Sequence, residues 1–194
     1  MKRLFGITGR AGAGKDTVAD YLGLDHGFMK IAFADPLRSA ASSMFGVDHR
    51  HFHDRKLKGA EHLYWGMSPR RMLQLLGNDA VKSVFGPDIW VKRWRLSYSA
   101  VRDTDHVVVP DVRFDLEAEH IREVGGVIIH VTRNNGAHAL DGEAAAHVSE
   151  KGVTFRDGDY LLYNDGDMVD LYDEVDVMIS TLDKQREARR GQIA

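Results

Sequence analysis

The chain has 194 residues, 43% hydrophobic and 28% charged, and its 26 Lys+Arg against 29 Asp+Glu give a formal net charge of −3. That is the composition of an ordinary globular protein, long enough to bury roughly 70% of its unfolded surface in one domain spanning 1–194. It has no cysteine, which excludes disulfides, thiolate metal sites and a cysteine nucleophile and fits a cytoplasmic location. Mild acidity argues against a protein that coats polymeric nucleic acid. Glycine and charge interrupt the basic opening MKRLFGITGRAGAGKD, so it does not read as a signal peptide. No segment approaches the ~20 apolar residues of a membrane span, so no membrane association is expected.

Strand-like runs occur at Leu4–Thr8, Phe28–Phe33, His106–Val109, Val127–Val131 and Tyr160–Tyr163. They are short, β-branched or aromatic, and mostly unalternated, the pattern of strands buried on both faces. Helical patterns fall between them at Ala13–Leu22 and Phe114–Val124, the second stopped by Gly125-Gly126. Met168, Leu171, Tyr172, Val175, Met178, Ile179 and Leu182 predict an amphipathic C-terminal helix, followed by a polar, frayed tail at Lys184–Ala194. Alternating strands and helices predict an α/β fold, a parallel sheet with helices on both faces.

Two intervals break this rhythm. About seventy residues separate the second and third strands, far more than a crossover needs. Within them Ser68-Pro69 starts a helix, and Arg70–Val84 carries apolar residues at Met72, Leu73, Leu76, Ala80 and Val84. Pro87 opens another, with Trp90, Trp94, Tyr98 and Val101 on one stripe. The second irregular interval is Arg133–Asp159.

The sharpest motif follows the first strand and opens the first helix: Gly9-Arg10-Ala11-Gly12-Ala13-Gly14-Lys15-Asp16-Thr17. It fits G-x-x-x-x-G-K, with Asp16 in place of the usual Ser or Thr. Glycines let backbone N–H groups converge on phosphate oxygens, and the helix N-terminus adds a favourable dipole. Lys15 can reach the β- and γ-phosphates, Thr17 the α-phosphate, and Asp16 a magnesium-bound water. The dinucleotide pattern G-x-G-x-x-G is not met, because no third glycine follows Gly12-Ala13-Gly14.

The ordered set GKDT at 14–17, FADPLR at 33–38, PRRMLQLLGND at 69–79, GPDIWV at 86–91, PDVRF at 110–114, HVSE at 147–150 and NDGD at 164–167 resembles the deoxynucleoside monophosphate kinases of tailed bacteriophages. These lie within the P-loop nucleoside monophosphate kinase group. GKDT alone is also similar to phosphomevalonate kinases, and Asn78 stands where the resemblance leads one to expect Thr. The resemblance implies a P-loop kinase fold with sheet order 2-3-1-4-5. It also implies a helical acceptor-binding insert at 35–105 and a lid at 133–159, in the places where the rhythm breaks. The activity implied is Mg2+-ATP-dependent phosphorylation of a deoxynucleoside monophosphate, in the host cytoplasm if the gene is a phage's. Another small-molecule P-loop kinase, or a non-enzymatic nucleotide-binding switch, is the alternative. A homodimer is among the open oligomeric states.

Phosphoryl transfer needs positioning and charge neutralisation more than bond-making side chains. Arg38 sits just past the second strand, where it can grip an acceptor phosphate or be a solvated helix arginine. Asp35 has a substrate role or caps the helix. Arg70, Gln74 and Asn78 share a stripe at i, i+4 and i+8 that lines a cleft or is a plain polar face. Trp90 stacks on a base or belongs to the core. Asp111 and Arg113 follow the third strand at the edge where α/β sheets place ligands. There Asp111 can hold a magnesium-bound water and Arg113 the acceptor phosphate, or the two form a structural ion pair. In the lid, Arg133 is the first candidate for the transferring group and Arg156 the second. His147 and Glu150 either order the lid or close a helical turn. His49, His51 and His53 alternate like a metal tract, without nearby partners in sequence.

Overall fold

A computed structural model of the chain describes residues 2–133 and 152–191. His147, Glu150 and most of the expected lid lie outside the described residues. The chain divides into two compact units, one of residues 1–30 with 103–194 and one of residues 31–102.

The first unit is built on a five-stranded parallel sheet in the order β2-β3-β1-β4-β5. Its strands are β1 (Leu4–Thr8), β2 (Met29–Lys30), β3 (Val107–Val109), β4 (Val127–Thr132) and β5 (Tyr160–Tyr163). The sheet order is the one the family resemblance implies. β1 sits at the centre and all of its residues are buried, as are those of β3. The edge strands depart from the expectation of burial on both faces. β2 keeps only two of the anticipated residues, both exposed, and Leu161 and Tyr163 of β5 face out. An edge strand has one neighbour to pair with, and nothing in the sequence run itself tells edge from centre.

Helices α1 (Lys15–Leu24) and α8 (Met168–Gly191) cover one face of the sheet. Val18, Ala19 and Leu22 of α1 and Leu171, Val175 and Met178 of α8 pack there with Ile7, Ile129, Val131 and Leu162. Helix α7 (Asp115–Glu123) covers the other face, where Gly6 makes room: a Cβ there would meet Ile121 Cδ1 at 2.7 Å and Ile128 Cδ1 at 2.8 Å. The expected frayed tail is instead helical as far as Gly191. The guanidinium of Arg3 grips the Asp183 carboxylate with bonds of 2.5 and 3.0 Å, and Arg186 donates to the Lys2 carbonyl at 3.3 Å. These anchors are the two residues just before β1, far away in sequence, so no local pattern announces them.

The second unit is helical: α2 (Asp35–Phe45), a 3₁₀ turn (His49–Phe52), α3 (Arg55–Gly59), α4 (Pro69–Gln74), α5 (Ser83–Phe85) and α6 (Ile89–Ser99). Its core gathers Leu37, Ala41, Val47, Phe52, Met72 and Leu73, with Trp90 packed against them. Ser68 caps α4 as anticipated, accepting from Arg71 N at 3.3 Å. The single helix expected over Arg70–Val84 is not regular: Leu75–Lys82 winds as a π-helix. That wider winding throws the 3.6-residue stripe out of phase, so Met72 and Leu73 are buried while Ala80 and Val84 are exposed. Arg70 and Gln74 stay one turn apart on α4, while Asn78 lies within the π-helical stretch.

Candidate functional site

The carboxyl ends of β3, β1, β4 and β5 lie side by side along one edge of the sheet. β1 runs into the glycine loop at 9–14, and β3 into Pro110–Phe114. The Val112 N–H donates to the Ile7 carbonyl at 3.1 Å, which holds the β3 loop beside the glycine loop. On the other flank, Thr8 pairs with His130 of β4, and Asn164 at the end of β5 donates its N–H to the Thr132 carbonyl at 2.8 Å. Parallel α/β sheets bind ligands at this edge.

In the glycine loop, Gly9 has φ +145° and a Cβ there would collide with the Val131 carbonyl, so only glycine fits against β4. Gly14 caps α1 with φ +103° and no side-chain capping bond, so the cap leaves the first-turn N–H groups of α1 to other acceptors. The Lys15 ammonium reaches across the loop, donating to the carbonyls of Gly9 at 2.7 Å and Arg10 at 2.8 Å. Asp16 lies exposed in the first turn of α1 and Thr17 is half-buried beside it, while Ala13 is buried.

Asp111 is 9% exposed and Arg113 half-buried. The turn that carries them is fixed by a residue the sequence reading passed over. Buried Glu117 of α7 accepts from the Arg113 N–H at 2.8 Å and the Phe114 N–H at 3.2 Å. A glutamate three residues into a helix is a recognisable capping signal. Arg133 donates from Nη2 to the Gly166 carbonyl at 3.4 Å, joining the ends of β4 and β5. Arg156, the second lid candidate, is paired with Glu119 of α7 at 3.0 Å.

The residues expected on the acceptor side belong to the helical unit. Asp35 accepts from the Ala32 N–H at 3.0 Å and from Arg38 Nη1 at 2.8 Å, so its carboxylate orders both the start of α2 and the guanidinium. The Arg38 side chain is 14% exposed. Arg70 and Gln74 are half-buried on α4. Trp90 donates its indole N–H to the Gly77 carbonyl at 3.1 Å, while Trp94 donates to the Ile31 carbonyl at 3.0 Å and stacks on Tyr98. The histidine tract puts the His49 and His53 rings 4.5 Å apart. Burial and the nearby Arg38 charge push the His53 imidazole pKa down.

Among the described residues no group of three or more His, Cys, Asp or Glu side chains is placed to hold a metal. Asp16 and Asp111 are hard oxygen donors, the chemistry Mg2+ takes when it keeps its waters and rides on a ligand's phosphates.

Comparison with known proteins gives a consistent result. The family model described as deoxynucleotide monophosphate kinase matches residues 54–175. A protein of Acanthamoeba polyphaga mimivirus assigned to the same activity is 32% identical over 142 residues, 67% of this chain and 74% of the viral protein. The deoxynucleotide monophosphate kinase of Escherichia phage RB69 is 35% identical over 114 residues, 58% of this chain. That of Enterobacteria phage T4 is 36% identical over 110 residues, 56% of this chain. The aligned stretch spans 45% and 44% of these two phage proteins, less than half of each. Among solved structures, TT1252 from Thermus thermophilus superposes with a TM-score of 0.50 at 19% identity, over 93% of this chain and 98% of that one, which is a likeness of fold.

Proposed function

The chain is a kinase of the deoxynucleotide monophosphate kinase family, and on that premise we propose that it transfers the γ-phosphoryl group of ATP to a deoxynucleoside monophosphate, releasing the diphosphate and ADP. The observation that carries the proposal is the glycine loop between β1 and α1. Its helix N-terminus and the Lys15 ammonium converge where a chain of phosphates would lie.

In this reading Gly9, Gly12, Ala13, Gly14, Lys15, Asp16 and Thr17 hold ATP, and Lys15 follows the charge on the transferring group. Mg2+, held through water by Asp16 and Asp111, would neutralise phosphate charge when bound. Arg113 binds the acceptor phosphate, and Arg133 contributes a further cation to the transfer. Arg38, held in place by Asp35, serves the acceptor from the helical unit. Arg70 and Gln74 serve the acceptor nucleoside, and Trp90 offers it the part of its ring that the core leaves open. The acceptor oxygen is already anionic near neutral pH, so no general base is needed. Segment 133–159 serves as the lid that keeps water from the γ-phosphate.

The family match favours this reading over a phosphomevalonate kinase, and nothing observed favours a non-enzymatic switch. The deciding experiment offers a panel of deoxynucleoside and ribonucleoside monophosphates with ATP and separates products by chromatography. Diphosphate formed from at least one deoxynucleotide is expected. ATP binding without turnover of any acceptor would overturn the proposal.

A further inference from the structure

The NDGD segment at 164–167 is left without a role by the reading above, and the structure gives its first residue an unusual position. Asn164 is 6% exposed, and its carboxamide Nδ2 donates to the carbonyl of Ala13, 151 residues away, at 2.8 Å. The same carboxamide fills the space in which a Cβ on Gly14 would stand. From this geometry we infer that Asn164 is a positioning residue for the phosphate loop, holding the Ala13–Gly14 peptide so that the Gly14 N–H is presented to bound phosphate. The inference rests on the proposed ATP site.

The argument is one of peptide geometry. The chain has no cis peptide bond among its described residues, so the C=O of Ala13 and the N–H of Gly14 point in opposite directions across one rigid plane. Pinning the carbonyl toward β5 turns the amide away from it. Gly14 is also the cap of α1, so this N–H adds to the first-turn donors of that helix. With glycine on its C-terminal side, at φ +103°, this peptide could otherwise flip at lower cost than one between two bulkier residues, pointing a carbonyl at the phosphates.

The clamp is itself held rigidly. The Asn164 N–H donates to the Thr132 carbonyl at 2.8 Å, which ties it to the end of β4. Downstream, the Asp167 carboxylate accepts from the N–H groups of Val169 at 2.7 Å and Asp170 at 3.1 Å, capping α8. The carboxamide therefore has little freedom to follow the loop, and the loop conforms to it. A buried amide tied on both sides is suited to fixing a donor within the few tenths of an ångström that phosphate binding demands.

The test uses the full chain with Asn164→Ala and Asn164→Asp. The readouts are ATP dissociation constant by calorimetry, KM for each substrate, turnover and thermal midpoint. Both variants should weaken ATP binding about tenfold while the acceptor KM stays within about twofold, because one backbone donor on one substrate is lost. Asn164→Asp keeps the shape but at neutral pH has no proton to donate to Ala13. Its ATP affinity should recover in part as pH falls and the carboxyl becomes protonated. A folded variant of either kind with wild-type ATP affinity overturns the inference. In the wild type, the Gly14 amide resonance should move on adding a non-hydrolysable ATP analogue. An unmoved resonance overturns the inference even if neither variant folds. An active wild type with unaffected Asn164 variants refutes this inference alone. A wild type whose ATP affinity falls in the Asn164 variants yet which phosphorylates no deoxynucleotide refutes the function and leaves the clamp standing.

Discussion

The glycine loop at 9–14 and the π-helical stretch Leu75–Lys82 are both irregular, and a glycine permits each, but for different reasons. Gly14 has a backbone angle other residues avoid. Gly77 has no such angle. It leaves room for a neighbour, since a Cβ would meet Leu37 Cδ2 at 2.5 Å unless that side chain shifted. The polar consequences are opposite. The first irregularity leaves the N–H groups at the start of α1 without a side-chain cap, whereas the second closes one group off, because the Gly77 carbonyl is taken by the Trp90 indole. A distortion that serves packing satisfies its own backbone. The glycine loop, proposed to serve a ligand, is held from outside, by Val131 of β4 and by Asn164 at the end of β5.

The most direct way to break this contrast is to remove the cation at the open irregularity. Lys15→Met should lower turnover by on the order of 10²-fold or more with the fold intact. Steady-state kinetics and a circular dichroism spectrum check it. Near-normal turnover by the folded variant would mean that the loop does not hold the transferring phosphate.

The next effect separates the substrates. Arg38→Ala and Arg113→Ala should raise the acceptor KM by roughly 10-fold or more, the loss of a charge-assisted phosphate contact. ATP affinity measured by titration should barely change. A variant that loses ATP affinity and keeps its acceptor KM would move that arginine to the donor side.

At the closed irregularity the expected change is in stability. Trp90→Phe leaves the Gly77 carbonyl without its indole donor and should cost about 1–2 kcal/mol in urea unfolding, with ATP affinity preserved. Unchanged stability would show that the π winding does not depend on this bond.

How much of this could be read from residues alone follows from how local each feature is. The glycine loop was legible because strand, glycines, lysine and helix are consecutive, and β5 was found at its observed limits. The strand order came through the resemblance, since no spacing encodes it. Periodicity failed past Leu76 because it presumes 3.6 residues per turn, and the wider turn is packed against Leu37 and bonded to Trp90, which belong to other helices. The second strand is confined to Met29–Lys30, which pair with Val107 and Val108 of a β3 only three residues long. Asn164 was quoted within a motif but given no role, as its partner is 151 residues away. The ties from Arg122 to Asp159, 37 residues apart, were hidden in the same way.

Those last ties offer the finest comparison, because segment 152–159 is held to α7 by charge rather than by backbone geometry. Arg122 donates to both Asp159 oxygens, at 2.9 and 2.6 Å, and the His130 ring lies 3.0 Å from the same carboxylate. Thr154 donates its N–H to Asp115 at 2.7 Å, and Arg156 its N–H to Asp159 at 2.9 Å. Burial pushes the Asp159 pKa up, but the Arg122, Arg156 and His130 bonds outweigh it and hold the carboxyl below its usual range. The Thr154 backbone bond does the same for Asp115. A carboxylate held low in the folded chain contributes stability that is present above its unfolded pKa of about 4 and is lost as pH falls through the lower folded value. Amide exchange at Thr154 and Arg156 should therefore stay protected down to pH about 4 and lose protection only below it. The backbone-held Asn164 N–H should stay protected further into acid. Thr154 and Arg156 losing protection at higher pH, or together with Asn164, would mean that the carboxylates do not hold this segment.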